Sequence, residues 1–348
     1  MYFCLRFRQR KEQKVAKKKI KMTIMKLIKN IQFDITSSCN SVCPNCDRFQ
    51  PHKGKLYRNP GVQFNKHLSV EKIKEIIFSH NVATDLNCSF VGQMGDALAH
   101  PHFLEIIDIV SEKIDQAGWI FIHTNGGLRN EKWWKTFTDK LKLQKHKLWF
   151  SIDGLEDTNH IYRRGVSWAK IMQNAQIFID RGGQAVWKFI QFPWNSHQIE
   201  EARYMSQQMG FTDFELRQDR DNKAHTMKCQ RAANNGILKT AAPLRDWKAS
   251  IDKILYPTLR SDLECGPDSV NINYTGQVDP CCFFDSARTK DLYSSYYYDQ
   301  VDPIQSRWNN LDISKFDDII ENEWWDELFR TQRINPSYLC SYACGLRH

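Results

Sequence analysis

The sequence lacks any run of apolar residues long enough to cross a lipid bilayer, which takes about 20 of them in a helix. It also lacks the pattern of a secretory signal peptide, so its eleven cysteines are not expected to form a disulfide scaffold. Internal repeats and low-complexity tracts are absent as well. We therefore expect a cytoplasmic protein with free thiols and no membrane partner, whose 348 residues suit one large domain and a smaller one.

Acidic residues are almost missing from the first 30 positions, where eleven Lys or Arg residues stand against Glu12 alone. This segment accounts for the net charge of +9, and the rest of the chain is close to neutral. A general phosphate-binding surface is therefore not expected, and nucleic acid is not an expected partner. We predict that residues 1–29 form a dispensable basic extension: a basic arm, an organellar presequence, or sequence ahead of a start at Met22 or Met25.

Strand-like and helix-like segments alternate from residue 30 to residue 218. A typical helical segment has apolar residues at Val70, Ile73 and Ile77 behind Ser69, which suits a helix N-cap. Strict alternation predicts parallel βα units, and six of them predict an α/β fold, a partial (β/α)6 TIM barrel. A doubly wound open sheet would place the loops in the same way and stays an alternative. The six predicted strands are LIKNIQFDI, LNCSFVG, IFIHTNGG, KLWFSIDG, QAVWKFIQF and FTDFELR.

Three cysteines follow the first predicted strand in the segment CNSVCPNC. Cys39, Cys43 and Cys46 are separated by three and then two residues, so one loop carries all three thiols. Three thiolates on a 4Fe-4S cluster leave one iron with an open coordination position, where another molecule can bind. The alternative is a structural zinc site with a remote fourth ligand.

The next three predicted strands also end in short polar motifs, GQMGD, HTNGG and SIDG. In a parallel sheet these motifs and the cysteines share one edge. Gly92 and Gly95 would let the backbone of the first motif approach a ligand closely. Taken singly, each motif is also compatible with an ordinary turn from strand to helix.

Together, the four motifs in this order resemble the radical SAM superfamily, over residues 30 to 217. The resemblance implies that S-adenosylmethionine (SAM) binds the open iron through its amino and carboxylate groups. It also implies reductive cleavage of SAM to a 5′-deoxyadenosyl radical, which abstracts hydrogen from a substrate. A reductant such as flavodoxin or ferredoxin would be a partner.

The resemblance also assigns roles to individual residues around SAM. Asp96, where many relatives have Glu, would accept hydrogen bonds from the SAM amino group. Ser151 and Arg163 would contact the SAM carboxylate, and Arg164 is an adjacent alternative. The segment that lies along the methionine or adenosine portion of SAM would consist of Thr124, Asn125 and Gly126.

The tail resembles a twitch or SPASM domain, the auxiliary-cluster module of many radical SAM enzymes. Ten residues separate its first cysteine from Gly276, and four more precede the next cysteine. The resemblance implies one auxiliary 4Fe-4S cluster in residues 265–348, after a linker at 219–264; a zinc ribbon is the alternative. The implied ligands are Cys265, Cys281 or its neighbour Cys282, Cys340 and Cys344.

The substrate is less defined by the sequence. Asp153, Glu215 and Arg217 lie at predicted strand ends and are candidates for catalytic side chains, although each also suits a plain rim position. We expect a peptide or protein side chain as substrate, and a small molecule such as a sugar or aminocyclitol is the alternative. A different class, a non-catalytic zinc or iron-sulfur protein that binds RNA, explains the cysteines but not the other three motifs.

Overall fold

A computed structural model describes five parts of the chain: residues 27–52, 55–141, 146–219, 268–279 and 309–322. The three cysteines of the first loop and the three polar motifs fall inside these ranges. Residues 1–26 of the basic extension, most of the linker and the four predicted tail ligands, Cys265, Cys281, Cys340 and Cys344, lie outside the described residues.

The strands within these ranges form one large sheet and one small hairpin. Apolar and β-branched residues recur in them, as in Ile28, Ile31 and Phe33 of the first strand. Their bounds are β1 Ile28–Asp34, β2 Phe49–His52, β3 Lys55–Arg58, β4 Val82–Phe90, β5 Trp119–Thr124, β6 Lys147–Ser151, β7 Gln184–Gln191, β8 Asp213–Gln218, β9 Ser269–Asn273 and β10 Val278–Asp279.

The helices alternate with the strands of the large sheet. The backbone N–H of Lys72 donates to Ser69 Oγ at 3.3 Å, which confirms the predicted N-cap. None of the helices in the described ranges is long and apolar enough to span a membrane. Their bounds are α1 Val70–Ile77, α2 Phe103–Lys113, α3 Glu131–Leu141, α4 Asn159–Tyr162, α5 Trp168–Asp180, α6 Ile199–Met209 and α7 Phe316–Ile320.

The large sheet has eight strands in the order β10-β9-β1-β4-β5-β6-β7-β8. All neighbours from β1 to β8 pair in parallel, and helices connect them. These six strands are the six predicted ones, and the α/β fold class of a partial TIM barrel is confirmed. Because the strands are parallel, the loops after β1, β4, β5 and β6 all lie at one edge.

The two faces of the sheet have different surroundings. Phe150 of β6 lies on the helix-covered face, where its ring stacks on Trp134 of α3 at a centroid distance of 5.7 Å and packs against Phe178 of α5 at 6.1 Å. Its sequence neighbour Trp149 points to the opposite, inner face, next to His123 of β5. The hydrophobic core therefore lies between sheet and helices, and the inner face of the barrel is left for polar and aromatic side chains.

Strands β9 and β10 extend this sheet beyond the six predicted strands. β9 pairs in parallel with β1, and β10 returns antiparallel to β9 after a turn at Gly276, whose φ of 80° favours glycine. No local sequence pattern predicts this pairing, because β9 joins a strand about 240 residues earlier in the chain.

Candidate active site

The loop after β1 brings its three cysteines into one compact turn. Ser41 organises it: its backbone N–H donates to Cys39 Sγ at 3.3 Å, and its hydroxyl lies 3.0 Å from Cys43 Sγ. The N–H of Cys46 donates to the carbonyl of Cys43 at 3.1 Å. Cys43 is buried, and the other two are partly exposed. All three are free thiols, available as ligands.

Two arginines hold the backbone of this loop. Arg48 comes soon after the cysteines in sequence, and Arg164 belongs to the loop after β6. Buried Arg48 donates from Nη1 to the carbonyl of Ser41 at 3.1 Å and from Nη2 to the carbonyl of Cys39 at 3.5 Å. The carbonyl of Arg164 accepts from the N–H of Val42 at 2.9 Å. Sequence reasoning missed Arg48, since its position two residues after Cys46 carries no recognisable spacing.

The GQMGD loop after β4 packs directly against the start of the cysteine loop. A Cβ placed on Gly95 would lie 2.0 Å from the carbonyl oxygen of Thr36 and 2.8 Å from that of Ser38, so only glycine fits. The backbone N–H of Asp96 donates to the carbonyl of Ser38 at 2.9 Å. Gly92 is equally restricted, because its Cβ would lie 2.5 Å from the carbonyl oxygen of Gly95.

The Asp96 carboxylate joins the loops after β4 and β5. It accepts from Thr124 Oγ1 at 2.9 Å, from the N–H of Asn125 at 2.8 Å and from the N–H of Leu98 at 3.1 Å. Burial raises the pKa of Asp96, and these donors oppose the shift. With three donors on its two oxygens, the carboxylate keeps capacity for about one more hydrogen bond.

The TNGG motif reaches the cysteine loop through Asn125. Its Nδ2 donates to Asn40 Oδ1 at 2.7 Å and lies 3.4 Å from Cys39 Sγ. Gly126 has a φ of 74°, and a Cβ there would lie 2.8 Å from the ring of Phe150. Asn125, predicted beside SAM, is therefore also a donor to a cysteine sulfur.

The loop after β6 contributes Arg163. Its Nε donates to Asp153 Oδ2 at 2.6 Å, and its Nη1 lies 3.8 Å from Cys43 Sγ. Burial lowers the pKa of this guanidinium, but Asp153, with Cys43 and Tyr162, outweighs that effect, so the pKa is raised and Arg163 stays charged. Of the two neighbouring arginines it is Arg163 whose side chain lies at the cysteines; Arg164 Nε donates to the carbonyl of Ile161. Ser151 ends β6 and is partly exposed on the inner face.

Asp153, one of the candidate catalytic residues, is fully buried. One carboxylate oxygen binds Arg163, and the other accepts from the N–H of Ile190 at 2.7 Å. Burial raises the pKa of Asp153, and Arg163 opposes that shift. The geometry places Asp153 behind Arg163.

Glu215 and Arg217, the other two candidates, lie on β8 at the inner face of the sheet, and their side chains form an ion pair. Glu215 Oε2 also accepts from Trp149 Nε1 at 2.8 Å. The Arg217 side chain is 62% exposed. Both carboxylate oxygens of Glu215 are therefore engaged within the protein.

The thiols are in surroundings that disfavour an isolated thiolate. Burial raises the pKa of Cys39 to about 12 and that of Cys46 to about 11. A coordinated metal offsets such a shift, because it deprotonates its thiol ligands. Within the described ranges, no three His, Cys, Asp or Glu side chains are arranged around a point where one metal ion would sit.

Comparison with solved structures finds the same fold. The chain is similar to native anSMEcpe with bound AdoMet, with a TM-score of 0.51 and 15% identity over 88% of each chain. It is also similar to native anSMEcpe with bound AdoMet and Kp18Cys peptide, with a TM-score of 0.51 and 14% identity over 88% of each chain. For Streptococcus suis SuiB bound to S-adenosylmethionine the TM-score is 0.49, with 16% identity over 87% of this chain and 74% of SuiB. No protein family profile and no curated protein matches the sequence.

This chain has the fold of the radical SAM enzymes. At identities of 14 to 16% the similarity concerns the fold, and the chemistry must be argued from this chain's own residues. In the radical SAM fold seen here, the loops after β1, β4, β5 and β6 meet at one edge of the sheet.

Proposed function

We propose that this protein is a radical SAM enzyme that cleaves S-adenosylmethionine reductively and abstracts hydrogen from a substrate. One observation carries the proposal: each of the other three motifs touches the cysteine loop. Asp96 N–H donates to Ser38, Asn125 donates to Cys39, and Arg163 reaches Cys43. The parallel sheet brings these loops to one edge, and the contacts give the three thiols a buried carboxylate, an amide and a guanidinium as neighbours.

The donor set fits a 4Fe-4S cluster held by Cys39, Cys43 and Cys46. Each thiolate of such a cluster binds a different iron, and all three free thiols lie on one compact loop. The cluster with bound SAM would supply one-electron cleavage of the SAM C–S bond to a 5′-deoxyadenosyl radical.

The side chains around the cysteines have positioning roles in this proposal. Arg163 presents its guanidinium to the SAM carboxylate, and Ser151 adds a hydroxyl to the same group. Asp153 fixes Arg163 in place and keeps it charged, so we assign it to positioning and not to proton transfer. Asp96 has room for one donor, which the SAM amino group would supply, while Thr124, Asn125 and Gly126 line the same edge.

An auxiliary 4Fe-4S cluster on Cys265, Cys281, Cys340 and Cys344 is part of the proposal. The described hairpin supports it: Gly276 lies in the turn, and Asp279 returns beside Asn271. Cys265 precedes Ser269 by four residues and Cys281 follows Asp279 by two, so both cysteines are close in sequence to this hairpin.

We propose a peptide or protein side chain as substrate and a flavodoxin or ferredoxin as reductant. The fold similarity to anSMEcpe, which has been solved with AdoMet and a Kp18Cys peptide, supports a peptide. Glu215 and Arg217 would then border the substrate from the inner face, with Glu215 engaged by Trp149.

The test is the iron and sulfide content of the anaerobically reconstituted full chain. Wild type should hold about eight irons, and a variant with Cys39, Cys43 and Cys46 all changed to Ala about four. A variant with the four tail cysteines changed to Ala should also keep about four. Only proteins with the first three cysteines intact should form 5′-deoxyadenosine from SAM on reduction.

Cys88→Ala is the matched control, because Cys88 is a free thiol buried in the core away from the cysteine loop. It should keep about eight irons. If the tail cysteines are found to hold zinc, the tail is a zinc ribbon and carries no auxiliary cluster. Absence of iron from every protein would reject the radical SAM assignment.

A further inference from the structure

A basic segment, residues 47–70, directly follows the third cysteine of the first loop. It contains five Lys or Arg residues and one acid, Asp47, and so carries a charge of +4. From residue 31 onwards the chain as a whole carries −1, so this segment is an exception in a nearly neutral body. It includes the hairpin in which β2 pairs antiparallel with β3. Positive charge concentrated in one place attracts an acidic partner.

The basic segment is attached to the cysteine loop at both of its ends. Near its start, the N–H of Phe49 donates to the carbonyl of Cys46 at 2.9 Å. Near its end, the N–H of Lys66 donates to Ser37 Oγ at 3.0 Å, and the N–H of Ser37 donates to the carbonyl of Lys66 at 3.0 Å. Ser37 lies two residues before Cys39. The segment therefore leaves the loop after its last cysteine and returns just ahead of its first.

A continuous set of contacts runs from the surface of the basic segment to a thiol. The guanidinium of exposed Arg58 lies over the ring of Phe64 at 4.7 Å, and that of buried Arg48 lies over the same ring at 5.4 Å. Arg48 Nη1 donates to the carbonyl of Ser41 at 3.1 Å, and the Ser41 hydroxyl lies 3.0 Å from Cys43 Sγ. Cation–π contacts hold Arg58 in place. An exposed positive charge is thus joined to a cluster ligand through Phe64 and Arg48.

Two exposed apolar side chains lie on the cysteine loop and on the basic segment. Val42, between Cys39 and Cys43, is 38% exposed, and Tyr57, next to Arg58 on β3, is 49% exposed. They are two of the seven large hydrophobic side chains that are exposed in the described ranges. Interfaces between redox partners are small, and these side chains supply apolar contact area on the two elements that carry the thiols and the charge.

The other charged groups around the basic segment do not cancel its charge. Asp47 is already counted in it. Asp312 lies near exposed Lys66 but forms its ion pair with Lys72: the hydrogen bond from Lys72 lowers the pKa of Asp312, and the charge of Lys66 adds to that shift. His67 is neutral at physiological pH, because burial lowers its pKa. The segment therefore presents a net positive charge to a partner.

We propose that the basic segment docks the reductant of the cluster, a small acidic protein that carries one electron. The inference rests on the proposed function and adds the docking surface and the charge of the partner. In the docked complex the carrier is oxidised by one electron, and the cluster on Cys39, Cys43 and Cys46 is reduced by that electron. The position favours an electron carrier over an acidic peptide, because the segment contacts the cysteine loop itself, where the electron must arrive.

The experiment compares protein carriers with a small reductant in forming 5′-deoxyadenosine from SAM on the reconstituted full chain. The carriers are an acidic flavodoxin and an acidic ferredoxin, each photoreduced, and the small reductant is dithionite, which needs no docking surface. Arg58→Gln together with Lys66→Gln should raise KM for at least one carrier about tenfold at low ionic strength, since two steering charges are lost. The rate with dithionite should stay the same. Added salt should weaken the carrier reaction of wild type more than that of the double variant.

Lys140→Gln together with Arg181→Gln is the matched control. It removes the same charge from surface ion pairs with Asp108 and Asp139, at the C-terminal ends of α3 and α5. These helices run back to the start of the next parallel strand, so their ends lie at the edge of the sheet opposite the cysteine loop. The control should have the carrier KM of wild type.

Lys66→Glu is the second variant, for the case in which loss of Arg58 disturbs Phe64 and lowers the rate with dithionite. It leaves the ring contacts of Arg58 and Arg48 in place and should raise the carrier KM by itself. A carrier KM that is unchanged in both variants, or raised equally in the control, overturns the proposal. If the carriers are insensitive and a hexaglutamate peptide binds wild type more tightly than the double variant, the surface belongs to an acidic peptide and the proposal is also overturned.

Failure of the proposed function looks different, because no 5′-deoxyadenosine then forms with dithionite either. The docking surface is still tested in that case by isothermal titration calorimetry with the oxidised carriers. Their Kd should rise about tenfold in the double variant and keep the wild-type value in the control. Equal Kd values in all three proteins overturn the docking surface.

Discussion

Arg163 forms a buried ion pair with Asp153, Nε to Oδ2 at 2.6 Å, while its Nη1 lies 3.8 Å from Cys43 Sγ. The pair links the loop after β6 to the loop after β1. The Asp153 carboxylate has no exposed surface, and the Arg163 side chain is 16% exposed. Because the Arg163 charge has little contact with water, its stability in the fold depends on the Asp153 counter-ion.

Asp153→Asn should therefore lower the free energy of unfolding by about 3 kcal/mol, because it leaves the buried Arg163 charge without its counter-ion. Chemical denaturation of the apo chain measures this. Asp139→Asn is the matched control: Asp139 pairs with Arg181 on the surface, and its loss should cost about 0–1 kcal/mol. Equal losses in the two variants would contradict a buried, interdependent pair.

Gly95→Ala should prevent correct packing of the GQMGD loop on the cysteine loop, because its Cβ would overlap the carbonyl oxygens of Thr36 and Ser38. The expected result is loss of iron binding by the first cysteine loop, measured as about four irons per reconstituted chain where wild type has about eight. Gly182→Asn is the control: no atom lies within 4 Å of that Cβ, and Asn tolerates the φ of 85°. An unchanged iron content in Gly95→Ala would contradict the close packing.

Asn125→Leu should lower the reduction potential of the cluster held by the three cysteines, since Nδ2 of Asn125 donates toward Cys39 Sγ at 3.4 Å. Hydrogen bonds to cluster sulfurs stabilise the reduced, more negative form. An anaerobic redox titration followed by electron paramagnetic resonance measures the shift. The control is Asn130→Ser. Asn130 lies at the start of a surface helix, where its Oδ1 accepts from the N–H of Trp133. A potential unchanged in Asn125→Leu would show that the contact has no electronic effect.

Acid should destabilise the fold through His100. Burial lowers the pKa of His100 to about 4, with Arg129, His67 and His102 adding to the shift. The unfolded chain therefore binds a proton at higher pH than the folded one, near 6.5, so stability falls as the pH drops from about 6.5 to about 4 and levels off below.

His100→Gln should flatten that part of the stability profile, measured by denaturation at a series of pH values. Phe178→Leu is the control, because it weakens the core by about 1 kcal/mol without changing proton binding. A slope that stays the same in His100→Gln would assign the acid sensitivity to other groups.

The six parallel strands could be predicted because each combines an apolar segment with a following helix pattern, and that signal is local. The same holds for the cap at Ser69 and for the order of the four motifs. The contacts of Asp153 and Glu215 could not be predicted. Their sequence positions indicate only strand ends, whereas the fold shows that Asp153 binds Arg163 and that Glu215 accepts from Trp149.

By itself, the sequence determined the alternation of strands and helices, the edge at which the loops lie and the thiols that share one loop, because spacing along the chain dictates these. Only the tertiary structure decided that Arg48 closes the cysteine loop and that β9 lies beside β1. The β9 pairing depends on contacts between residues far apart in the chain, which no local pattern encodes. The contact of Arg48 with Ser41, seven residues earlier, depends on how the loop turns.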